Sequence, residues 1–321
     1  ETLKYKLTKS NTFETIRFVN NGTGAMTIDK DLVKAILYPA TANSVLTTLD
    51  LGAATCKDFS NETFAADGVN GTLALTNLTL PLTNKTSVLS ESTGTKVDKM
   101  VVPTQVLSKL NQVPTTVTIP EGYDRVGDEA FANSSITKVN FPNSLTLIGE
   151  SAFLKCNIAS ITLNEGLENI GKKAFMDTPL TALHFPSTLQ IIHDEAFRNC
   201  YVYGLKFNAG LKFIGKGAFA LRDNDKAETT LEIPASMRYI GAMAFGARKY
   251  QDVFFYGKNA PLMPFGTIEN WDGTGSAFDK RTLMGNNGFD PEKGEISDDA
   301  KTGYSNRENY KNQGVYFCML H

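Results

Sequence analysis

The sequence predicts an α/β repeat solenoid: a right-handed coil with a parallel sheet on one face, short helical turns on the other, and a cap at each end. An Ala-Phe pair recurs every 22 residues, an Ile-Gly pair precedes it at a fixed distance, and a short alternating strand stands in phase with both. A single coil of 22 residues cannot bury its apolar face alone, so neighbouring coils are expected to stack on one another.

The Ala-Phe pairs set the register of the repeat. The first five are 22 residues apart and the sixth follows after 26. Their rings are expected to form one buried spine, made by Phe131, Phe153, Phe175, Phe197, Phe219 and Phe245. An aliphatic residue stands four positions before each Ala, and Gly follows it except at His193. The Ala-Phe segment is expected to turn helically, with Gly relieving crowding of the backbone.

Short strands of period two accompany these pairs, each with an apolar residue on either side of a variable one. They start at Val117, Val139, Ile161, Leu183, Leu205, Leu231 and Val253. Pro follows four of them, while Asn164 and Asn208 hold the same position, which suits an abrupt strand end. Stacking would align these strands as a parallel sheet with about 4.8 Å per coil.

The periodicity divides the chain into an N-terminal cap (1–48), a solenoid (49–257, with regular coils over 114–257) and an irregular remainder (258–321). In the cap, Asp29 could begin a helix around Leu32–Ile36. Two Pro-terminated segments before residue 104 are again 22 residues apart, and residues 104–110 are expected to form a short amphipathic helix.

The last segment, 258–321, is expected to be a C-terminal cap or the start of a linker to a missing domain. Its aromatic residues argue for packing on the last coil, with Phe265 or Trp271 as the plug. The chain begins at Glu1 without an initiator methionine, so we expect it to have been processed or cut.

Composition excludes several classes of function. Lys+Arg 32 against Asp+Glu 34 gives a net charge of −2, and no basic run suggests nucleic-acid binding. No apolar run is long enough to span a membrane. The four cysteines are far apart and form no CxxC pair, so neither a metal nor a cofactor is expected.

Two clusters of residues could have a catalytic or a calcium-binding role, but a role without chemical function is favoured for each. His193 lies beside Asp194 and Glu195, yet no nucleophile motif accompanies it, so no catalytic residue is predicted. The insertion 222–228 offers three carboxylates for calcium but lacks the spacing of a calcium loop, which favours a solvated loop. Cys156 and Cys200 are expected to be free, buried thiols.

The outward positions of the strands give the candidate binding surface. The N-terminal half of this strip is Thr, Asn and Ser, which β-propensity explains. The other half combines both signs of charge with an aromatic residue, and we predict a protein or glycan ligand there. The predicted ligand-binding residues are His184, Lys206, Glu232, Asp252 and Phe254.

The repeat unit, a strand ended by Pro and followed by Ile-Gly-x-x-Ala-Phe, resembles the BspA-like leucine-rich repeats of surface proteins from Bacteroides-type bacteria. The match is strong over 114–257 and weaker over 45–113, and the ending from Ser305 to Phe317 also resembles such proteins. His193 and the 26-residue coil depart from the pattern.

The resemblance implies a leucine-rich-repeat solenoid that is exported to the cell surface or outer membrane. It further implies non-enzymatic adhesion to a host or microbial surface protein or glycan, and we expect a monomer. A structural spacer that displays another domain is the alternative. An enzyme is the third class of function, for which the sequence shows no constellation of residues.

Overall fold

A computed structural model describes residues 13–19, 26–38, 45–66, 73–89, 95–110, 114–222, 227–257, 261–262 and 315–317. The chain divides into two compact units, Glu1–Asn164 and Glu165–His321. Short parallel strands dominate each unit, and the described residues contain one helix of eight residues. The predicted repeat solenoid of parallel strands is therefore confirmed.

Each unit is built from a series of short elements. The first unit contains β1 (Thr15–Arg17), β2 (Met26–Ile28), α1 (Lys30–Leu37), β3 (Thr48–Asp50), β4 (Ala54–Cys56), β5 (Asn77–Thr79), β6 (Thr86–Leu89), β7 (Lys96–Lys99), β8 (Val101–Val102), β9 (Thr116–Thr118), β10 (Arg125–Val126), β11 (Lys138–Asn140), β12 (Leu147–Ile148) and β13 (Ser160–Thr162). The second contains β14 (Asn169–Ile170), β15 (Ala182–His184), β16 (Ile191–Ile192), β17 (Phe213–Ile214), β18 (Ala227–Ile233), β19 (Tyr239–Ile240), β20 (Lys249–Phe255) and β21 (Val315–Phe317).

Two parallel ladders organise the first unit. Strands β1, β3, β5, β9 and β11 form one sheet in that order, so the sheet starts within the segment expected to be a cap. Strands β8, β10 and β12 form the second ladder, in which Val102 pairs with Val126 and Val126 with Ile148. The middle residue of each first-ladder strand points inward, as at Leu49 and Val117, which are both fully buried.

Two parallel ladders also organise the second unit. Strands β14, β16, β17 and β19 pair in that order, with Ile191 beside Phe213 and Phe213 beside Tyr239. Strands β18, β20 and β21 form the other ladder. Because β21 pairs with Val253–Phe255, the last regular strand has a further strand on its outer edge. Phe265 and Trp271, the expected plugs, lie outside the described residues.

Helix α1 begins where the sequence predicts it. The Asp29 carboxylate accepts the N–H of Leu32 at 2.9 Å, which satisfies a donor that the first turn leaves free. Val33, Ile36 and Leu37 are buried on one side of the helix. This prediction is confirmed.

The two Pro-terminated segments upstream of the regular coils are not equivalent, contrary to expectation. Leu78 of the first pairs with Val117, whereas Val102 of the second pairs with Val126 in the other ladder. The antiparallel hairpin of β6 and β7 is inserted between them and lengthens this coil. The spacing of 22 residues is therefore a coincidence of the insertion.

The Ala-Phe segment is a run of tight turns and not a short helix. Left-handed residues recur in it four positions apart, for example at Glu129 (φ 54°) and Asn133 (φ 58°). A helix would use every N–H internally, but in this segment every second N–H points to the next coil. Residues 129, 131 and 133 donate to the carbonyls of residues 150, 152 and 154. Residues 104–110, expected to be helical, likewise form turns, with Ser108 N donating to Gln105 O at 3.0 Å.

At two repeat glycines the backbone of the preceding coil comes too close for a Cβ at the present coil spacing. A Cβ on Gly215 would lie 2.3 Å from Asp194 N, and one on Gly149 would lie 2.8 Å from Asp128 N. His193 occupies the same repeat position and keeps its N–H bond to Ile170 O at 2.9 Å.

The six repeat phenylalanines are at most 1% exposed. In the first unit, the ring centroids of Phe131 and Phe153 are 5.2 Å apart with an interplanar angle of 15°. In the second unit the successive separations from Phe175 onward are 5.2, 5.3 and 5.7 Å, with interplanar angles of 5–6°. Each unit therefore has a parallel aromatic stack in its core.

Candidate functional site

Lys206, Glu232 and Phe254 lie side by side on neighbouring chain segments of the second unit. A parallel bridge pairs Lys206 with Glu232, and Glu232 pairs with Phe254 in the register of β18 and β20. Since paired segments are about 4.8 Å apart, the three residues form a row. Lys206 and Glu232 are exposed and Phe254 is half-buried. We call these three residues the central row.

The remaining predicted ligand-binding residues lie around the central row in different ways. Asp252 pairs through its backbone with Thr230 on β18. His184 is the exposed last residue of β15. Among the described residues, the pairing that joins the central row does not extend to His184. On the other side, the register of β21 places Tyr316 next to Phe254. Sequence reasoning missed Tyr316 because the chain between them shows no period.

The strand expected at 205–207 is not formed, and this prediction is wrong. Lys206 makes only an isolated bridge, and Gly204 has a left-handed φ of 65°. No atom lies within 4 Å of a Cβ placed on Gly204, so the backbone there faces open space. Tyr201, which precedes this break, is 40% exposed, and Tyr203 is half-buried. The break thus adds two aromatic side chains that the sequence analysis did not select.

A buried ion pair lies at the break. Arg248 is fully buried, and its guanidinium is 2.9 Å from the Glu228 carboxylate. The same guanidinium donates to the carbonyls of Phe219 (2.7 Å), Val202 (2.8 Å) and Cys200 (3.3 Å). The other Glu228 oxygen accepts the N–H of Gly204 at 3.0 Å. Backbone groups of the segment just before the expected strand are therefore bonded to this pair.

The repeat position of Arg248 could have been recognised in the sequence, but the strand-like pattern around it drew no attention to this residue. The residue three positions after each repeat Phe is small and polar in the first four regular coils: Ser134, Cys156, Thr178 and Cys200. Within its own unit, each of the two thiols donates to the carbonyl of the repeat Phe one coil earlier. Cys156 donates to Phe131 O at 3.1 Å and Cys200 to Phe175 O at 3.0 Å. Arg248 holds the same repeat position and makes the same bond to Phe219, but it extends further.

Burial changes the chemistry of two groups near the break. It raises the pKa of the Cys200 thiol to about 12, although hydrogen bonding with Thr178 acts in the opposite direction. It also raises the pKa of the Tyr250 hydroxyl, mainly because the ionised form would be desolvated. The structure confirms that Cys156 and Cys200 are free, buried thiols. The Cys200 thiol and the Tyr250 hydroxyl are therefore both neutral near pH 7.

The two clusters considered for catalysis and for calcium have other partners. Glu228, one of the three carboxylates in the insertion, is bonded to Arg248 and Gly204. Asp194 accepts the N–H of Lys216 at 2.7 Å, and Glu195 is paired with Arg198. Among the described residues, no three His, Cys, Asp or Glu side chains are grouped as metal ligands. The helix that the structure describes is too short to cross a bilayer.

The first unit presents a different outer face. Four threonine hydroxyls each donate to a carbonyl of the preceding coil at 3.0–3.2 Å, and we call them the threonine ladder: Thr47, Thr76, Thr115 and Thr137. Next to it, the Asn140 amide donates to the Thr118 hydroxyl at 2.9 Å. The face is polar and carries little charge, apart from Lys138 and the pair of Arg17 with Asp50 at 3.0 Å. These hydroxyl protons are used within the fold.

The central row offers a donor, an acceptor and an apolar surface within three successive rungs. Lys206 can pair with an anionic group, Glu232 can accept hydrogen bonds, and Phe254 can pack on an apolar or sugar ring surface. Such a set is suited to recognition of a ligand rather than to bond cleavage, since it contains no nucleophile held by a base.

Comparison with known proteins identifies the repeat. Residues 110–225 match the family described as the BspA type leucine rich repeat region, in six copies. A search of curated protein sequences finds no match to this chain.

Solved structures of leucine-rich-repeat proteins are also similar. They include the pneumococcal vaccine antigen PcpA (22% identity, TM-score 0.36, 60% of this chain and 42% of that one). A leucine-rich repeat protein from Bacteroides ovatus has 19% identity and a TM-score of 0.38 over 61% of this chain and 58% of that one. A leucine rich cell surface protein from Faecalibacterium prausnitzii has 15% identity and a TM-score of 0.25 over 77% and 89%. The chain thus spans 42% and 58% of the first two proteins.

Proposed function

We propose that this chain, whose residues 110–225 match the BspA type leucine rich repeat region, is an exported, non-enzymatic scaffold that binds a ligand at the cell surface. The ligand is a host or microbial surface protein or glycan, and the chain acts as a monomer without a cofactor. Its binding residues are His184, Lys206, Glu232, Asp252 and Phe254. In this proposal, 1–48 and 258–321 cap the solenoid of 49–257.

The observation that carries this proposal is the register of the central row. Lys206, Glu232 and Phe254 are adjacent in space although they are far apart in sequence, and they lie on the outward side of paired segments. Opposite charges beside an aromatic residue form a surface that is complementary to a polar partner with an apolar or ring-shaped element. Leucine-rich repeats provide extended surfaces of this kind because every coil contributes one outward position.

A binding panel tests the proposal. The full chain is immobilised and probed with a glycan array and with host extracellular-matrix proteins, and the strongest interaction is then measured with a Lys206→Ala, Glu232→Ala, Phe254→Ala variant. We expect a loss of more than about tenfold in affinity, corresponding to about 1.4 kcal/mol.

The matched control changes three outward residues of the first unit, as Thr116→Ala, Lys138→Ala, Asn140→Ala. This control should bind like the unchanged protein. Equal affinity of both triple variants, with both folded, would place the site elsewhere. Localisation is checked separately by detecting the native protein on intact cells of the source organism.

The threonine ladder favours a second candidate function, a structural spacer that displays another domain. The four hydroxyls donate to the fold's own carbonyls, as expected of a face that stabilises stacking. A spacer would show no interaction anywhere in the binding panel, whereas the scaffold would show one that depends on the central row.

A further inference from the structure

Arg248 occupies a repeat position that the first four regular coils fill with a small side chain. Ser134, Cys156, Thr178 and Cys200 stand at the same place in the repeat. Arg248 is fully buried there and is paired with Glu228, whose side chain is 5% exposed. A buried ion pair loses the hydration of both charges, and apolar side chains of similar size often replace one without loss of stability. The fifth coil has Arg222 at this position, but its side chain is exposed. Stability alone therefore does not explain why Arg248 is buried in an ion pair.

The contacts of the pair coincide with the break in the strand ladder. Gly204 stands where regular coils begin a strand, at Ser160 and Ala182, but it lies in a bend, and residues 200–203 connect it to the turn before. Arg248 bonds to the carbonyls of Cys200 and Val202, and Glu228 accepts the N–H of Gly204. A buried backbone group without a partner is unfavourable, and these bonds supply partners without sheet pairing.

The same pair connects the three segments that form the central row. Glu228 is in β18, four residues before Glu232, and Arg248 lies just before β20, which carries Phe254. The segment it holds by backbone bonds ends two residues before Lys206. The guanidinium carbon is also 5.9 Å from the centre of the Tyr203 ring, a favourable cation–π distance. One buried pair thus sets the positions of all three contributing segments.

We infer that Arg248 and Glu228 are positioning residues that hold segment 200–204 outside regular strand pairing and thereby fix Lys206 and Tyr203 relative to Glu232 and Phe254. The consequence for binding rests on the proposed function of the central row. The effect on segment 200–204 does not, and it can be measured without any ligand.

The experiment replaces both charges by apolar side chains, Arg248→Met with Glu228→Leu, in the full chain. Amide hydrogen exchange is followed by mass spectrometry. Peptides covering 200–206 should exchange at least about tenfold faster than in the unchanged protein, since Gly204 N loses its acceptor and two carbonyls lose their donor. Peptides from residues 165–198 should be unchanged. Ser134→Ala, at the same repeat position in the first unit, is the matched control and should leave the exchange of 200–206 as it is.

Arg248→Lys keeps the charge and tests the inference if the double variant does not fold. Lysine lacks the planar fork and cannot bond four acceptors at once, so we again expect faster exchange confined to 200–206. Unchanged exchange of 200–206 in the double variant or in Arg248→Lys would overturn the inference, because the pair would then add only stability.

Binding separates this inference from the proposed function. The partner found in the panel should lose more than about tenfold in affinity for the double variant. Faster exchange without this loss would keep the positioning of the segment but overturn its role in binding. Failure of the central-row triple variant to affect binding would instead overturn the proposed function while leaving the exchange result intact.

Discussion

The outer faces of the two units differ in how they satisfy the backbone of a neighbouring coil. In the first unit, strands of three residues pair in an unbroken series, and the hydroxyls of the threonine ladder supplement the pairing. In the second unit, β18 and β20 have seven residues each, while the coil before β18 leaves the sheet and is held by Arg248 and Glu228. A regular coil needs only small polar side chains. An irregular coil needs a dedicated buried partner, and that is also where charged and aromatic residues meet on the surface.

Truncation of the aromatic stack should have the largest effect and tests what the two units share. Phe153→Ala in the first unit and Phe175→Ala in the second should each lower the free energy of unfolding by about 3–5 kcal/mol, because both side chains are fully buried. Urea denaturation followed by circular dichroism measures this. A cost below about 1 kcal/mol in either unit would show that the stack does not stabilise that unit.

Substitution of the glycines at which two coils approach closely should have the next largest effect on stability. This effect should be equal in the two units. Gly149→Ala and Gly215→Ala should each cost about 1–3 kcal/mol, since the added Cβ would overlap backbone atoms of the preceding coil. Thermal unfolding gives the comparison. Lys216→Ala, at the exposed neighbour of Gly215, is the control and should stay within about 0.5 kcal/mol. Tolerance of alanine at only one of the two glycines would mean that coil spacing differs between the units.

Removal of one hydroxyl from the threonine ladder should have a smaller effect. Thr137→Val deletes the donor to Thr115 O and should cost about 0.5–1.5 kcal/mol. Lys206→Ala, on the exposed central row, should change stability by no more than about 0.5 kcal/mol. Chemical denaturation of both variants sharpens the contrast between a face used for stacking and a face available to a ligand. A larger loss of unfolding free energy in Lys206→Ala than in Thr137→Val would contradict this contrast.

A carboxylate in the second unit should show the smallest effect, as a shift in titration. The Ser187 side chain and backbone N–H both donate to Glu165 and lower the pKa of this carboxyl. The stabilisation is therefore present above the pKa of the unfolded chain, about 4.3, and is lost as the pH falls through the lower folded value. Ser187→Ala should raise the pKa of Glu165 towards its ordinary value, as measured by NMR titration. An unchanged pKa would show that these hydrogen bonds do not persist in solution.

The period of 22 residues was enough to predict the repeat solenoid, because stacking of identical coils is the one arrangement that buries all their apolar positions together. It was not enough at insertions. The spacing of 22 residues suggested that the segments ending at Pro81 and Pro103 are equivalent. Val102 instead pairs in the other ladder, and the inserted hairpin produces this spacing by chance. Likewise the strand at 205–207 was predicted from its apolar alternation, although Gly204 and the Arg248–Glu228 pair remove this segment from the sheet.

The candidate site was likewise predicted only in part. Alternation placed Lys206, Glu232 and Phe254 on the outward side, and their register then followed from the repeat. Tyr316 was missed because it belongs to a segment without a period, and Tyr201 because it does not lie at an outward strand position.

The sequence by itself determined the stacking period, the buried phenylalanines and the outward positions, because each depends on local alternation repeated along the chain. Tertiary structure decided the tight turns that contain left-handed residues, the partner of Arg248 and the position of β21. These depend on contacts between segments 20 or more residues apart, such as the bond from Arg248 to Glu228. No spacing in the sequence encodes such contacts, since they form only once the coils have stacked and the buried polar groups must find partners.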